Sequence, residues 1–472
     1  MAQVPLTANV SDGDLMLAGF VRIRDELGLP REFPTAVLAE AAEVSIPAVP
    51  PVADMTHIPL ITLDPVGAMD LDQAMHLERR GAGYRVWYAI ADVPAYARPG
   101  GAIDAEARRR GVTYYCPDRR IPLHPPILSE GRASLLPNVD RAAYLWQIDV
   151  DSDTDVVDAR VTRARVRSRG QYAYDAVQGA LDTDSSDDVM VLLREIGIGR
   201  QEAEAARGGA SLNLPRQAVV AHAGGYRLES EAPAPVEGWN AQISLLTGMC
   251  AARLMLDAGV GVLRVMPPAA EADIGRVRAV ARALRLPWSV RTGYPAFLRS
   301  LDPADPRTVP MMMACTSLMR GADYAVVTHD MALTTHAAVA APYAHVTAPL
   351  RRLVDRYGLA TAEAICDGKD VPAWVAQGLT EVPAVMKSAG GRARSLERSN
   401  VDLVEAGVLS GREGEWFAAV AVERRGARTL VQVAEPAVTA VCRGEVPLGA
   451  EVTVRLDRAD VEARAVEFSL VD

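Results

Sequence analysis

Three aspartates crowd one short stretch, Ile58-Pro-Leu-Ile-Thr-Leu-Asp64-Pro-Val-Gly-Ala-Met-Asp70-Leu-Asp72-Gln73. The apolar run Ile58–Leu63 reads as a buried strand that delivers Asp64 at its end. Pro65 and Gly67 then turn the chain. Asp70 and Asp72 lie two residues apart, so on an extended backbone both carboxylates leave one face, with Met69 and Leu71 pointing away into apolar surroundings. Carboxylates packed among Ile, Leu, Val and Met are costly to bury without a partner. A divalent cation is the natural one, and Mg²⁺ takes one or two carboxylates together with waters and substrate phosphates. The competing reading is a surface loop of solvated acids.

A second group of residues suits phosphate. Arginines cluster at Arg108–Arg110, Arg119 with Arg120, Arg160 to Arg169, and Arg351 with Arg352. Their planar forks match phosphate oxygens, and each cluster could equally be a solvated face. Pro349 is expected at the first position of a helix running to Ile365, which places Arg351 in a first turn beside unsatisfied backbone N–H groups. Asp355, four residues on, is expected to steady Arg351.

The order of these blocks resembles the ribonuclease II/ribonuclease R family. Leu63-Asp-Pro-Val-Gly-Ala-Met-Asp-Leu-Asp-Gln-Ala is similar to its signature of Asp, five residues, then Asp-x-Asp-Asp. Tyr88-Ala-Ile-Ala-Asp-Val, Ile121-Pro-Leu-His-Pro with Leu128-Ser-Glu, and Thr347-Ala-Pro-Leu-Arg-Arg-Leu-Val-Asp355 resemble the blocks that follow. The resemblance implies a Mg²⁺-dependent exoribonuclease that hydrolyses single-stranded RNA from its 3′ end to nucleoside 5′-monophosphates. Carried over residue by residue, Asp64, Asp70, Asp72 and Gln73 become metal ligands, Gln73 through its carbonyl oxygen. Asp72 is the acid nearest the attacking water, and Arg351 clamps the scissile phosphate. Tyr115, Tyr174, Arg352 and Glu397 fall along the RNA path, where aromatic stacking contributes about 1–3 kcal/mol per base whatever the sequence.

Three departures stand out. Gln73 occupies the place of the family's fourth Asp, so a catalytically impaired RNA-binding protein is the alternative. Ala241 and Gln242 stand where relatives carry paired glutamates. Residues 1–52 leave no room for the two cold-shock barrels of many relatives and read instead as two helices and a Pro-rich linker, Ile46–Val52. An unrelated phosphatase with Asp70-Leu-Asp72 as its nucleophile motif is a further rival, one that has no need of the arginine and tyrosine blocks.

Around these residues the pattern is α+β, in three parts: a small helical unit over 1–52, a mixed catalytic domain over 53–402, and a five-stranded barrel of the S1/oligonucleotide-binding class over 403–472. The first helix is expected to be capped by Ser11 or Asp12 and to bury Leu15, Leu17, Phe20, Val21 and Ile23. Strands are expected at Tyr84–Ile90, Ala143–Val150 and Val156–Val166, and helices at Gly238–Ala258, Ala269–Leu284, Pro310–Met319 and Glu381–Glu405.

Composition is that of an ordinary globular chain of 472 residues, 49% hydrophobic and 23% charged. A net charge of −10 disfavours nonspecific coating of nucleic acid but not a locally basic channel. Five scattered cysteines imply neither a disulfide framework nor a zinc site. With no long apolar run and no signal-like start, the expectation is a cytoplasmic monomer without a membrane partner.

Overall fold

The computed structural model describes residues 8–10, 13–44, 53–210, 216–222, 225–231, 233–302, 305, 307–329, 331, 334–425, 428–433, 436 and 438–471. The expected Ser11 or Asp12 cap and the Ile46–Val52 linker lie outside these residues.

Alternating burial builds the central sheet. Its main strands are β1 (Leu60–Asp64), β2 (Gln73–Arg80), β3 (Gly83–Ala91), β4 (Asp140–Val150) and β5 (Val156–Ala173). Along β3, Val86, Tyr88 and Ile90 enter one core while Ala89 and Ala91 enter another. On β4, Tyr144, Trp146 and Ile148 divide from Ala143 and Leu145 in the same way. This is the two-residue period of a strand whose faces are both covered. β5 is long enough to serve several neighbours, the short strand Ala53–Asp54 among them. It pairs antiparallel with β4 from Val156 to Arg167 and parallel with β1 from Ser168 to Ala173, so the sheet curls back on itself.

Helices cover both faces. On the large-residue face lie α4 (Tyr174–Asp182), α5 (Asp188–Arg207), α6 (Pro235–Ala258) and α7 (Leu353–Cys366). Pro235 sits in the first turn of α6, three residues before the expected start, where its missing N–H costs nothing. Gly259 ends the helix in the left-handed region. Removing the side chain of a fully buried residue such as Trp146 would cost about 3–5 kcal/mol.

The N-terminal helices belong to this body. α1 (Gly13–Glu26) packs Met16, Phe20 and Ile23 against Leu396, Leu403 and Val404 of α8 (Val382–Leu409). A Cβ on Gly19 would press on the Leu403 side chain, so glycine eases this approach. The buried stripe is therefore not the expected one, because Leu15, Leu17 and Val21 are exposed. Met16 and Gly19, not these three, complete the face that meets α8. The other helix, α2 (Thr35–Glu43), sends Glu40 to accept from the backbone N–H groups of Ala102 and Ile103, capping α3 (Ala102–Arg110).

Further helices at Glu271–Ala283 and Thr308–Cys315 match expectation to within a few residues, and Met311 and Met312 are core. The chain ends in a closed five-stranded barrel of β6 (Trp416–Arg425), β7 (Arg428–Val433), β8 (Val438–Arg443), β9 (Glu451–Asp460) and β10 (Ala465–Leu470). α8 runs past residue 402, and its Ala406 and Leu409 join the barrel core. Among the described residues no helix is long and apolar enough to cross a membrane.

Candidate functional site

The site forms where β1 ends and β2 begins. Leu60, Ile61, Thr62 and Leu63 are buried, and they carry Asp64 to the end of the sheet. Gly67 supplies the turn with φ +79, a conformation unfavourable for other residues. Beyond it Leu71 is fully buried, but Met69 is 43% exposed, against expectation. Here tertiary bonds, not strand alternation, set the backbone: the Ser134 hydroxyl donates to the Met69 carbonyl (2.6 Å) and accepts from the Leu71 N–H (3.0 Å).

Each acid finds different company. Asp70 accepts from Arg120 at 2.5 Å, and Arg120 also donates to Glu130 at 2.5 Å. Asp72 is buried, with one oxygen accepting from the Leu350 N–H at 2.7 Å and the other 3.3 Å from Nε of Arg351. Burial nevertheless pushes the Asp72 carboxyl up to about 7, outweighing Arg351 and the Leu350 N–H. Asp64 has less support. Its Oδ2 is buried with no hydrogen-bond partner among the described residues. Burial pushes its carboxyl up to about 6, with Arg351 opposing and Asp70 adding.

Arg351 does not open a helix. α7 begins at Leu353, and Arg352 preceding it is extended, with φ −135 and ψ 127. The reason is tertiary: Arg352 bridges to Val112, the Thr113 N–H donates to the Arg351 carbonyl, and the Leu353 N–H donates to the Gly111 carbonyl. Residues 347–352 thus form a turn, in which the Arg351 N–H is already bonded to the Ala348 carbonyl. The free amide is that of Leu350, and it goes to Asp72. Asp355 also serves a different arginine from the one expected. It accepts from Arg352 at 2.7 and 2.8 Å and from the Ala348 N–H at 2.7 Å. Asp72, not Asp355, holds Arg351. The Nη atoms of Arg351 make no hydrogen bond among the described residues, and its side chain is 45% exposed.

Tyr115 joins this group from the short hairpin of Tyr114–Tyr115 with Arg120–Ile121. Desolvation by the chain around it, then the charge of Asp70, push its hydroxyl up, while the residue stays 56% exposed. Tyr174 approaches Asp64 from the start of α4, and burial followed by the Asp64 charge pushes its hydroxyl up to about 12. Its oxygen accepts from the amide of Asn240 at 3.0 Å, and Asn240 Oδ1 is buried without a partner among the described residues. Arg352 lies beside the site but is committed to Asp355. Glu397 is exposed on α8, and no contact joins it to the aspartates among the described residues.

Both ends of the Gln73 amide are hydrogen-bonded. Its Nε2 donates to the Thr347 carbonyl at 2.6 Å, and its Oε1 accepts from the Tyr88 hydroxyl at 2.7 Å. Asn240, Tyr88 and the Leu350 N–H were not foreseen as site groups, and Arg120, expected to suit phosphate, instead pairs with Asp70 and Glu130. Arg120 and Tyr88 lie in blocks already singled out, and Asn240 stands next to the Ala241–Gln242 pair. Nothing in a linear pattern marks the Leu350 amide.

Among the described residues no three His, Cys, Asp or Glu side chains are grouped as a cation cage. The set instead fits a Mg²⁺ ion held by one or two carboxylates and completed by water and phosphate oxygens. The unpartnered buried oxygen of Asp64, beside Asp70, is the observation that calls for a cation.

The RNB domain pattern matches residues 52–359, and the RNase II-type exonuclease C-terminal S1 domain matches 415–471. This chain belongs to the RNB-domain family. It is 37% identical over 162 residues to Ribonuclease R of Acidithiobacillus ferrooxidans, a segment covering 34% of this chain and 37% of that one. It is 39% identical over 132 residues to Ribonuclease R of Escherichia coli, covering 28% of this chain and 16% of that one. The matched segments thus span little more than a third, or less, of these curated relatives. The fold extends further. Mycoplasma genitalium RNase R, solved with ribose-methylated single-stranded RNA, superposes with a TM-score of 0.87 at 16% identity, over 97% of this RNB chain and 78% of that one. Yeast Ssd1, described as a pseudonuclease, superposes with a TM-score of 0.70 at 13% identity, over 93% and 57% of the two chains.

Proposed function

We propose that this RNB protein hydrolyses single-stranded RNA from the 3′ end, with Mg²⁺, to nucleoside 5′-monophosphates. The observation that carries the reading is Arg351, held by Asp72 at the edge of the under-compensated acids with its outer nitrogens open to a phosphate. Asp64 and Asp70 would hold the ion, which when bound supplies charge stabilisation and an activated water. Asp72 orients Arg351 and keeps negative charge beside the ion. Arg351 would stabilise the charge that builds on the phosphoryl oxygens. The open ring of Tyr115 offers a base a stacking surface, and Tyr174 with Asn240 offers polar atoms to the nucleotide beside Asp64.

Both Asp72 oxygens already accept hydrogen bonds and Asp70 is paired with Arg120, which speaks against either acting as a phosphatase nucleophile. The alternative of RNA binding without turnover rests on one observation, the engagement of Gln73. A time course on an oligoribonucleotide labelled at its 5′ end, with Mg²⁺ and with EDTA, decides between them. Stepwise shortening in Mg²⁺ alone, absent on the matching DNA, is the expected result. Binding with no shortening at any Mg²⁺ concentration would reject the nuclease reading.

A further inference from the structure

The turn at 347–352 carries the arginine that faces Asp72, yet it lies outside every helix and sheet. Apart from the bridge at Val112, side chains from elsewhere hold it. Asp355 takes the Ala348 N–H, Asp72 takes the Leu350 N–H, and Gln73 donates to the Thr347 carbonyl at 2.6 Å. Ser244 adds a bond to the Thr347 hydroxyl at 2.8 Å. Two consecutive residues, Asp72 and Gln73, therefore grip the turn on either side of Pro349.

The Gln73 amide has one workable orientation. A backbone carbonyl only accepts, so Nε2 must face Thr347. Oε1 then faces Tyr88, whose hydroxyl donates to it from a fully buried ring. One side chain is thus donor to a carbonyl and acceptor from a phenol, a pair of roles that an ionised carboxylate cannot fill. A carboxylate here would set its negative charge against the Thr347 carbonyl oxygen, leaving that oxygen unpaired as well.

We infer that Gln73 is a positioning residue that latches the Thr347–Arg352 turn to the start of β2, and so sets Arg351 against Asp72. Its effect on rate rests on the RNA-cleavage reading above; the latch itself does not. The inference reverses the ligand role expected of Gln73, under which an acid at this position would strengthen the metal site. Here an acid opens the turn and moves the phosphate clamp.

The test compares wild type with Gln73→Glu, Gln73→Asp and Tyr88→Phe. Hydrogen–deuterium exchange over residues 347–352 is followed in EDTA. On a 5′-labelled oligoribonucleotide, kcat, KM and the half-saturating Mg²⁺ concentration are measured. Both acids should speed exchange in the turn and lower kcat by about tenfold or more, since a small displacement of a positioned group is costly, with KM held within about twofold. Half-saturating Mg²⁺ should not fall. Tyr88→Phe keeps the Thr347 bond and should lower kcat by no more than about threefold. Should Gln73→Asp or Gln73→Glu fail to fold, Gln73→Asn, too short to span both partners, takes its place with the same expected exchange and kcat. An acid variant with wild-type exchange and a lower Mg²⁺ requirement would overturn the latch and make position 73 a metal ligand. Unchanged exchange and kcat in every Gln73 variant would also overturn it. If wild type cleaves nothing, the nuclease reading falls, and the exchange measurement alone judges the latch.

Discussion

Two of the buried charge clusters among the described residues have opposite characters. Along α3, Asp104 is met by Arg356, by Arg108 and by the Gly100 N–H, and Glu106 is met by Arg109 and Arg110. Both acids are buried, yet those partners hold their carboxyls below the usual range. At the end of β1 and the start of β2, burial wins instead, and Asp64 and Asp72 are pushed up to about 6 and about 7. A charge cluster that is internally balanced is a structural device. One left short of positive charge is a candidate functional site, and under the proposed reading a cation and a phosphate contact would supply the balance. The run Arg108–Arg110 looked fit for phosphate by composition, but its forks are spent on Asp104, Glu106 and Glu381.

The contrast can be broken from either side. The largest effect is expected from Asp72→Asn. Its amide would turn a donor towards Arg351 or lose the Leu350 N–H, and turnover should fall on the order of a thousandfold, as when a transition-state contact is removed. RNA affinity measured in EDTA should stay within a few-fold; lost binding with proportionate residual turnover would sink the assignment. Next comes the balanced cluster. Arg356→Ala leaves Asp104 buried with one cation fewer and should cost about 3–5 kcal/mol by denaturant titration. Activity per folded molecule should be unchanged, and a selective loss of turnover would erase the distinction between the clusters.

A smaller effect links pH to stability. Because burial raises the Asp64 and Asp72 carboxyls above the ordinary aspartate value of about 3.9, the folded state binds more protons than the unfolded one between about pH 4 and pH 7. Stability in EDTA should therefore fall as pH rises through that window, and Mg²⁺ should restore part of it. Asp64→Asn should stabilise the protein in EDTA at pH 7.5 by on the order of 2 kcal/mol. An unchanged melting profile would mean that Asp64 is not short of charge. The smallest effect is expected from Arg109→Gln. Arg109 is half exposed and shares Glu106 with Arg110, so both stability and RNA affinity should change by less than about 1 kcal/mol. A marked loss of RNA affinity would return this run to the phosphate-binding surface.

Much of this arrangement was legible in linear order. The run Ile58–Leu63 announced a strand because apolar residues bounded by Pro and Gly leave few alternatives. Alternating residues marked the barrel strands, and glycine at 259 marked the end of α6. The spacing of Asp64, Asp70 and Asp72 pointed to a cation, and the order of the blocks pointed to the family. The face of α1 was misjudged because Leu15, Leu17 and Val21 are as apolar as Met16. Packing against α8, with Gly19 set close to Leu403, decides which stripe is buried.

Sequence alone determined which residue types reach this site and in what chain order, since local periodicity and turn chemistry act over a few residues. Tertiary structure alone decided their pairing. Arg351 and Arg352 are chemically identical neighbours, and both have an acid within reach. Because the backbone of Arg352 is drawn into a bridge with Val112, it turns to Asp355 and leaves Arg351 to Asp72. The sequence offers the Gln73 oxygen as a possible ligand, and the fold brings Thr347 and Tyr88, far apart in the chain, together on its amide. Partners separated by hundreds of residues are set by how the sheet and helices pack, and no spacing along the chain encodes them.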